Sequence, residues 1–118
     1  MKGTKKGIGL KFALNGLKSA FLYERNFRYH ILAMAIVIIV SFILQLNQIE
    51  WLFIIFSIFL VLVTELINSN MERLIDYIKP EYHPEAKVIK DIAAGIVLLA
   101  AILAVTVGII IFVPKIFF

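Results

Sequence analysis

The sequence predicts an all-α integral membrane protein, with an N-terminal amphipathic surface helix followed by three transmembrane helices. Three observations carry this expectation. Of 118 residues, 62% are hydrophobic, well above the roughly 45–50% of soluble domains, and so short a chain has too little interior to hide them from water. Three apolar runs approach or reach the ~20 helical residues needed to cross ~30 Å of hydrocarbon. Basic residues gather on one side of those runs, as the orientation rule for spanning helices requires. A backbone surrounded by hydrocarbon must satisfy its own polar groups, so each run is helical. The length suits a single domain, 1–118. With no cysteine, disulfides, thiolate metal sites and cysteine nucleophiles are excluded. The net charge of +4, on so apolar a chain, points to anionic lipid headgroups, and no nucleic-acid partner is expected.

The surface helix is expected over about 8–24. Leu10, Leu14, Leu17 and Phe21 recur at helical spacing, and Lys11, Asn15 and Lys18 mark the opposite face, the pattern of a helix lying in the membrane interface. The first span follows at about 28–46. The short connection after it carries the single acid Glu50 and no Lys or Arg, with Trp51 at its edge as an interfacial anchor. The second span covers about 51–71. Residues 72–91 are dense in charge and contain Pro80 and Pro84, which reads as a cytoplasmic loop interrupted for helix. The third span, about 92–113, carries Ala94, Ala101 and Gly108 at seven-residue spacing with Ala104 on the same side. Such a stripe is a packing face, within one chain or between chains. Lys2, Lys5, Lys6, Lys11, Lys18, Arg25 and Arg28 precede the first span, and Arg73, Lys79, Lys87 and Lys90 separate the second from the third. Only Lys115 falls on the other side, so the N-terminus is expected in the cytoplasm. No cleavable leader is expected, because about thirty residues precede the first apolar run and no small-residue cleavage site follows it.

Glu65 is the most informative residue. It follows fourteen uncharged residues, from Trp51 to Thr64, and an ionisable group inside a span is a functional site by default. At ~100° per residue, Glu65, Asn68, Ser69, Glu72 and Asp76 fall on one side of the helix. This polar stripe begins within the bilayer and ends at its edge, where a lipid headgroup can meet a water-soluble substrate. Phosphoryl transfer from ATP suits such parts. It takes Mg²⁺ on one or two carboxylates, cations for the phosphates, and a group to accept the proton of the attacking hydroxyl. Glu65, the deepest acid, is placed as the base; Glu72, with Glu24 at the end of the surface helix, as metal ligands; Lys90, Lys87 and Lys5 as phosphate partners. His30 and His83 lack a second histidine or cysteine at ligand spacing, so no zinc site is expected. No P-loop or Gly-rich nucleotide motif occurs. Two other readings fit the residues alone: a transporter that moves protons or cations through Glu65, and a membrane anchor without chemistry.

Residues 65–76, ELINSNMERLID, resemble the E-x-x-N-[ST]-x-x-E-x-x-x-D signature of the prokaryotic diacylglycerol kinase/undecaprenol kinase family. The resemblance continues through ERNF (24–27), HPEAK (83–87), KDIAAG (90–95) and the tail from Gly108 to Lys115. It implies an ATP-dependent, Mg²⁺-requiring lipid kinase of the cell membrane, a homotrimer with sites between protomers near the cytoplasmic interface. Glu65 then resembles the catalytic base, with Asn68 beside it, and Glu24 and Glu72 the metal ligands. Lys5, Phe12, Glu24, Glu72, Glu81, Tyr82, His83, Lys90 and Asp91 match nucleotide-contacting positions. Gly9, Leu10, Leu14, Lys18, Phe21, Glu65 and Ala94 match lipid-contacting ones. Phe12 replaces a tyrosine and Lys5 an arginine of the diacylglycerol-specific relatives, losing a hydroxyl and a bidentate fork. The ERNF and HPEAK forms are similar to the Gram-positive branch, whose members phosphorylate undecaprenol; diacylglycerol is the alternative substrate.

Overall fold

The computed structural model describes residues 8–118. It contains four helices among them: α1 (Ile8–Tyr23), α2 (Arg25–Ile43), α3 (Gln48–Ile78) and α4 (Pro84–Phe117). The last three are long and apolar enough to cross a membrane. The expected apolar stripe of α1 is largely uncovered by protein: Leu10, Leu14, Leu17 and Phe21 are all exposed. A helix with that face uncovered suits an interface with acyl chains.

At ~1.5 Å per residue, the 31 residues of α3 and the 34 of α4 run to about 46 and 51 Å, against ~30 Å of hydrocarbon. The excess lies at the charged end. The region 72–91, expected as a loop, is therefore helical on both sides of a short break at 79–83. Pro84 does not interrupt a helix here. It begins one, at a position where its missing N–H costs nothing, and His83 caps that start by accepting the Glu85 amide on Nδ1 at 3.1 Å. Lys90 bonds Asp76 across the two projecting ends, and Lys87 bonds Asp91 one turn along α4. These pairs hold helix in water where apolar packing has run out, and hydropathy does not register them.

The opposite end is closed differently. Gln45 turns the chain with φ of 55°, in the left-handed region. Asn47 then accepts the Glu50 amide at 2.9 Å while Glu50 accepts the Asn47 amide at 2.9 Å, a reciprocal cap for α3. Lys115 of α4 reaches Glu50 at 3.2 Å, so the lone base of this end pairs with its lone acid. Beneath them Leu46, Ile54 and Ile111 form the apolar core, with Val37, Trp51 and Phe112 packed around it. Replacing Asn47 by alanine should lower stability by about 1 kcal/mol. The expected result is an earlier thermal midpoint in detergent with unchanged turnover, because the cap lies at the far end from Glu65.

α3 is central, packed along α4 and more lightly against α2. The small residues of α4 that are buried are Ala93 and Ala100, one position before the expected stripe. Ala94 is exposed, while Ala101, Ala104 and Gly108 line an apolar groove of about 550 Å³ that separates α2 from α4. A Cβ built on Gly108 would meet only the Phe112 ring, at 3.8 Å, so no second helix among the described residues approaches there. The molecule is a slab of 53 × 41 × 20 Å whose broad faces carry exposed Phe56, Leu99 and Val105.

Candidate active site

Glu65 lies about 21 Å along α3 from Trp51, inside the apolar stretch but toward its charged end. Its residue is 3% exposed. Oε1 accepts from Ser69 Oγ, one turn on, at 3.4 Å. Oε2 lies 3.5 Å from His30 Nε2 on α2. Asn68, also buried, shares this face, and its Oδ1 is enclosed without a hydrogen-bond partner among the described residues. A buried acceptor left unpaired is costly and uncommon.

Glu24 is the single non-helical residue between α1 and α2. Arg28 fixes this elbow by donating to the carbonyl oxygens of Phe21 and Leu22 at 2.8 and 3.0 Å, which caps the last turn of α1. The Glu24 carboxylate so placed accepts from Arg73 Nη2 at 2.7 Å. Between α1 and α3 a cleft of about 450 Å³ opens, walled by Gly16, Ala20, Glu24, Ser69, Asn70 and Arg73; its size is ordinary for a ligand site. Ser69 joins this cleft to Glu65. Glu72 is exposed on the next turn.

The structure thus places Glu65 and Asn68 on one buried face of α3, joined through Ser69 to the cleft at Glu24, with Glu72 exposed one turn farther on; the remaining expected residues have other partners or surroundings. Lys90 and Asp91 are held by Asp76 and Lys87, Glu81 lies 3.3 Å from Lys79, Tyr82 is exposed, and His83 caps α4. Phe12, Leu10, Leu14, Lys18 and Phe21 are exposed along α1, with Gly9 half-buried at its start, and Ala94 is exposed on α4. Lys5 lies outside the described residues. No group of three or more acidic or histidine side chains converges as a metal cage among the described residues, and Glu24 is the acid that lines the cleft.

Three participants escape sequence reasoning. From the sequence His30 enters only as a zinc candidate, and Arg28 and Arg73 only as topology charges. For His30 a signal existed: it is an ionisable residue inside the first span, at the same membrane end as Glu65. The arginines offer none, because their partners are set by the elbow at Glu24.

Fold and site together define a polytopic α-helical membrane protein whose buried acid and amide adjoin a charged cleft where the helices leave the apolar layer. The chain belongs to the prokaryotic diacylglycerol kinase family, whose model matches residues 11–112. It is 40% identical over 92 residues to the undecaprenol kinase of Bacillus subtilis, covering 78% of this chain and 75% of that protein. It is 39% identical over 102 residues to a diacylglycerol kinase of Synechocystis, covering 86% of this chain and 58% of the relative. Against the diacylglycerol kinase of Escherichia coli K12 the identity is 32% over 94 residues, 80% and 77% of the two chains. The protein is a membrane lipid kinase, and the transporter and anchor readings give way.

Proposed function

We propose that this kinase transfers the γ-phosphoryl group of Mg·ATP to the primary hydroxyl of undecaprenol at the cytoplasmic face of the cell membrane. The observation that carries the reading is the buried Glu65 beside the unpaired Asn68 Oδ1, one turn from a cleft walled by Glu24 and Arg73. An alcohol on a long apolar body reaches such a depth from the lipid side, and a triphosphate reaches the cleft from water. Likeness to the Bacillus subtilis undecaprenol kinase and the ERNF and HPEAK forms favour the polyprenol. The Synechocystis relative, nearly as similar, supports diacylglycerol as the second reading. Both present the same primary hydroxyl.

Asn68 Oδ1 first accepts the alcohol O–H; the hydroxyl then rotates about its C–O bond to present its one proton to Glu65, which takes it as the oxygen attacks phosphorus. The Asn68 amide then offers N–H donors to the reacting oxygen. Arg73, released from Glu24 as that carboxylate turns to the metal, supplies a planar fork to the phosphates, and Lys90, released from Asp76, adds a second cation. Phosphoryl transfer depends chiefly on such positioning and charge neutralisation. Glu24 and Glu72 fit Mg²⁺ by the chemistry of their donors: carboxylate oxygens are what this hard ion takes, and one or two suffice because phosphate oxygens and water complete its shell. Bound there, the ion would neutralise triphosphate charge and align the leaving group. Lys90, Asp91 and residues 81–83 stand apart from Glu65 within one chain, which supports a homotrimer whose sites are completed by a neighbour. The basic residues gathered before α2 and between α3 and α4 support a cytoplasmic N-terminus.

The test is transfer of labelled phosphate from Mg·ATP to undecaprenol and to diacylglycerol, assayed side by side in lipid or mild detergent. Faster phosphorylation of undecaprenol is expected; faster phosphorylation of diacylglycerol selects the second reading. Labelling neither lipid rules out both. Glu72→Gln should raise the Mg²⁺ concentration giving half-maximal rate by roughly tenfold or more. An unchanged Mg²⁺ midpoint removes Glu72 from the metal.

A further inference from the structure

The mechanism leaves a proton unaccounted for. Glu65 gains one at every turnover, yet its side chain is only 4% exposed, and its hydrogen-bond donor Ser69 is no acceptor of a proton at neutral pH. The nearest titratable group is His30, whose Nε2 lies 3.5 Å from Glu65 Oε2 and whose side chain is 31% exposed. A small rotation closes that distance to a hydrogen bond, as catalytic contacts often do once substrate is bound. His30 stands about 8 Å along α2 from its polar start at Arg25, so the imidazole bridges the buried acid and the interface.

We propose that His30 is the positioning residue of Glu65 and the outlet for its proton. This rests on Glu65 acting as the base. The alcohol O–H bond breaks and its proton goes to Glu65 as the new O–P bond forms. The bond from the γ-phosphorus to the bridging oxygen breaks, and ADP departs with that electron pair. The neutral Glu65 acid then gives its proton to unprotonated His30 Nε2, which restores the carboxylate, and the imidazolium releases the proton to interfacial water. Histidine is the side chain suited to accept and release a proton near neutral pH.

The surroundings leave no competing acceptor on the groove side. α4 has no ionisable residue between Asp91 and Lys115, and the groove that His30 helps to line is otherwise almost wholly apolar. On α2 itself Arg28 is bound to the α1 carbonyl oxygens and Tyr29 is exposed. Glu24 at the elbow is held by Arg73, and Glu72 on α3 lies farther toward water.

The experiment compares His30→Gln, His30→Ala and Glu65→Gln in one assay at saturating Mg·ATP and lipid. Glutamine keeps a polar group within reach of Oε2 but cannot carry the proton. His30→Gln should lose turnover roughly 10- to 100-fold with KM for ATP and lipid unchanged. His30→Ala should lose as much and recover in proportion to imidazole added to the buffer, a readout that a merely structural side chain would not produce. Should the alanine variant fail to fold, His30→Gln decides alone. Parental turnover in His30→Gln, or a loss in His30→Ala that imidazole leaves untouched, overturns the outlet. If Glu65→Gln is inactive while His30→Gln is normal, only the outlet falls. If Glu65→Gln itself turns over normally, the base and its outlet fall together.

Discussion

Glu65→Gln should lower turnover by roughly 10²- to 10⁴-fold while leaving KM for ATP near its parental value. That corresponds to about 3–5 kcal/mol of barrier, the range that a positioned base contributes. Glutamine matches glutamate in shape, and its side-chain oxygen can still accept from Ser69. What it cannot do is take a proton from an alcohol. The substitution also removes a charge from a residue 3% exposed within an apolar helix, so the variant should reach the membrane at least as well as the parent. Activity lost with folding kept is the result expected of a base; parental turnover would deny Glu65 that role. Steady-state rates against ATP and against lipid separate the two effects.

The sequence made the spans and the acidic face of α3 legible for one physical reason: hydropathy and helical period are local, and lipid punishes any departure from them. Glu65 and Asn68 could be placed on a common side because three residues of helix fix their angle. Contacts between helices were not legible. Glu24 and Arg73 are 49 positions apart and meet only because the chain turns at Glu24 under the hold of Arg28. His30 and Glu65 meet only because α2 and α3 lie antiparallel with their charged ends level. The projecting ends of α3 and α4 were missed because ion pairs such as Lys90–Asp76 hold helix where hydropathy has already fallen. Within the chain α4 turns Ala93 and Ala100 inward, while Ala101, Ala104 and Gly108 line the open groove. A seven-residue spacing fixes a stripe but leaves open which neighbour covers it.

Asn68→Leu is expected to abolish most activity while leaving the fold intact or firmer. Asn68 is 8% exposed and its Oδ1 has no partner among the described residues. The folded protomer thus bears a desolvated acceptor with nothing to compensate it, a penalty of about 1–3 kcal/mol. Leucine has nearly the same shape and no polar atom, so exchange should relieve that penalty and raise the thermal midpoint in detergent, or at least not lower it. A side chain kept for the fold would show the reverse. Turnover should fall by roughly 10²- to 10³-fold, as when a hydrogen-bonding group at a reacting oxygen is removed, and Asn68→Asp should not restore it, because the lost N–H donors stay lost and a second carboxylate sits beside Glu65. The two readouts pull in opposite directions only if Asn68 is retained for the reaction. A variant that stays active, or one that loses stability and activity together, would assign this amide to packing between helices and leave Glu65 to act without it.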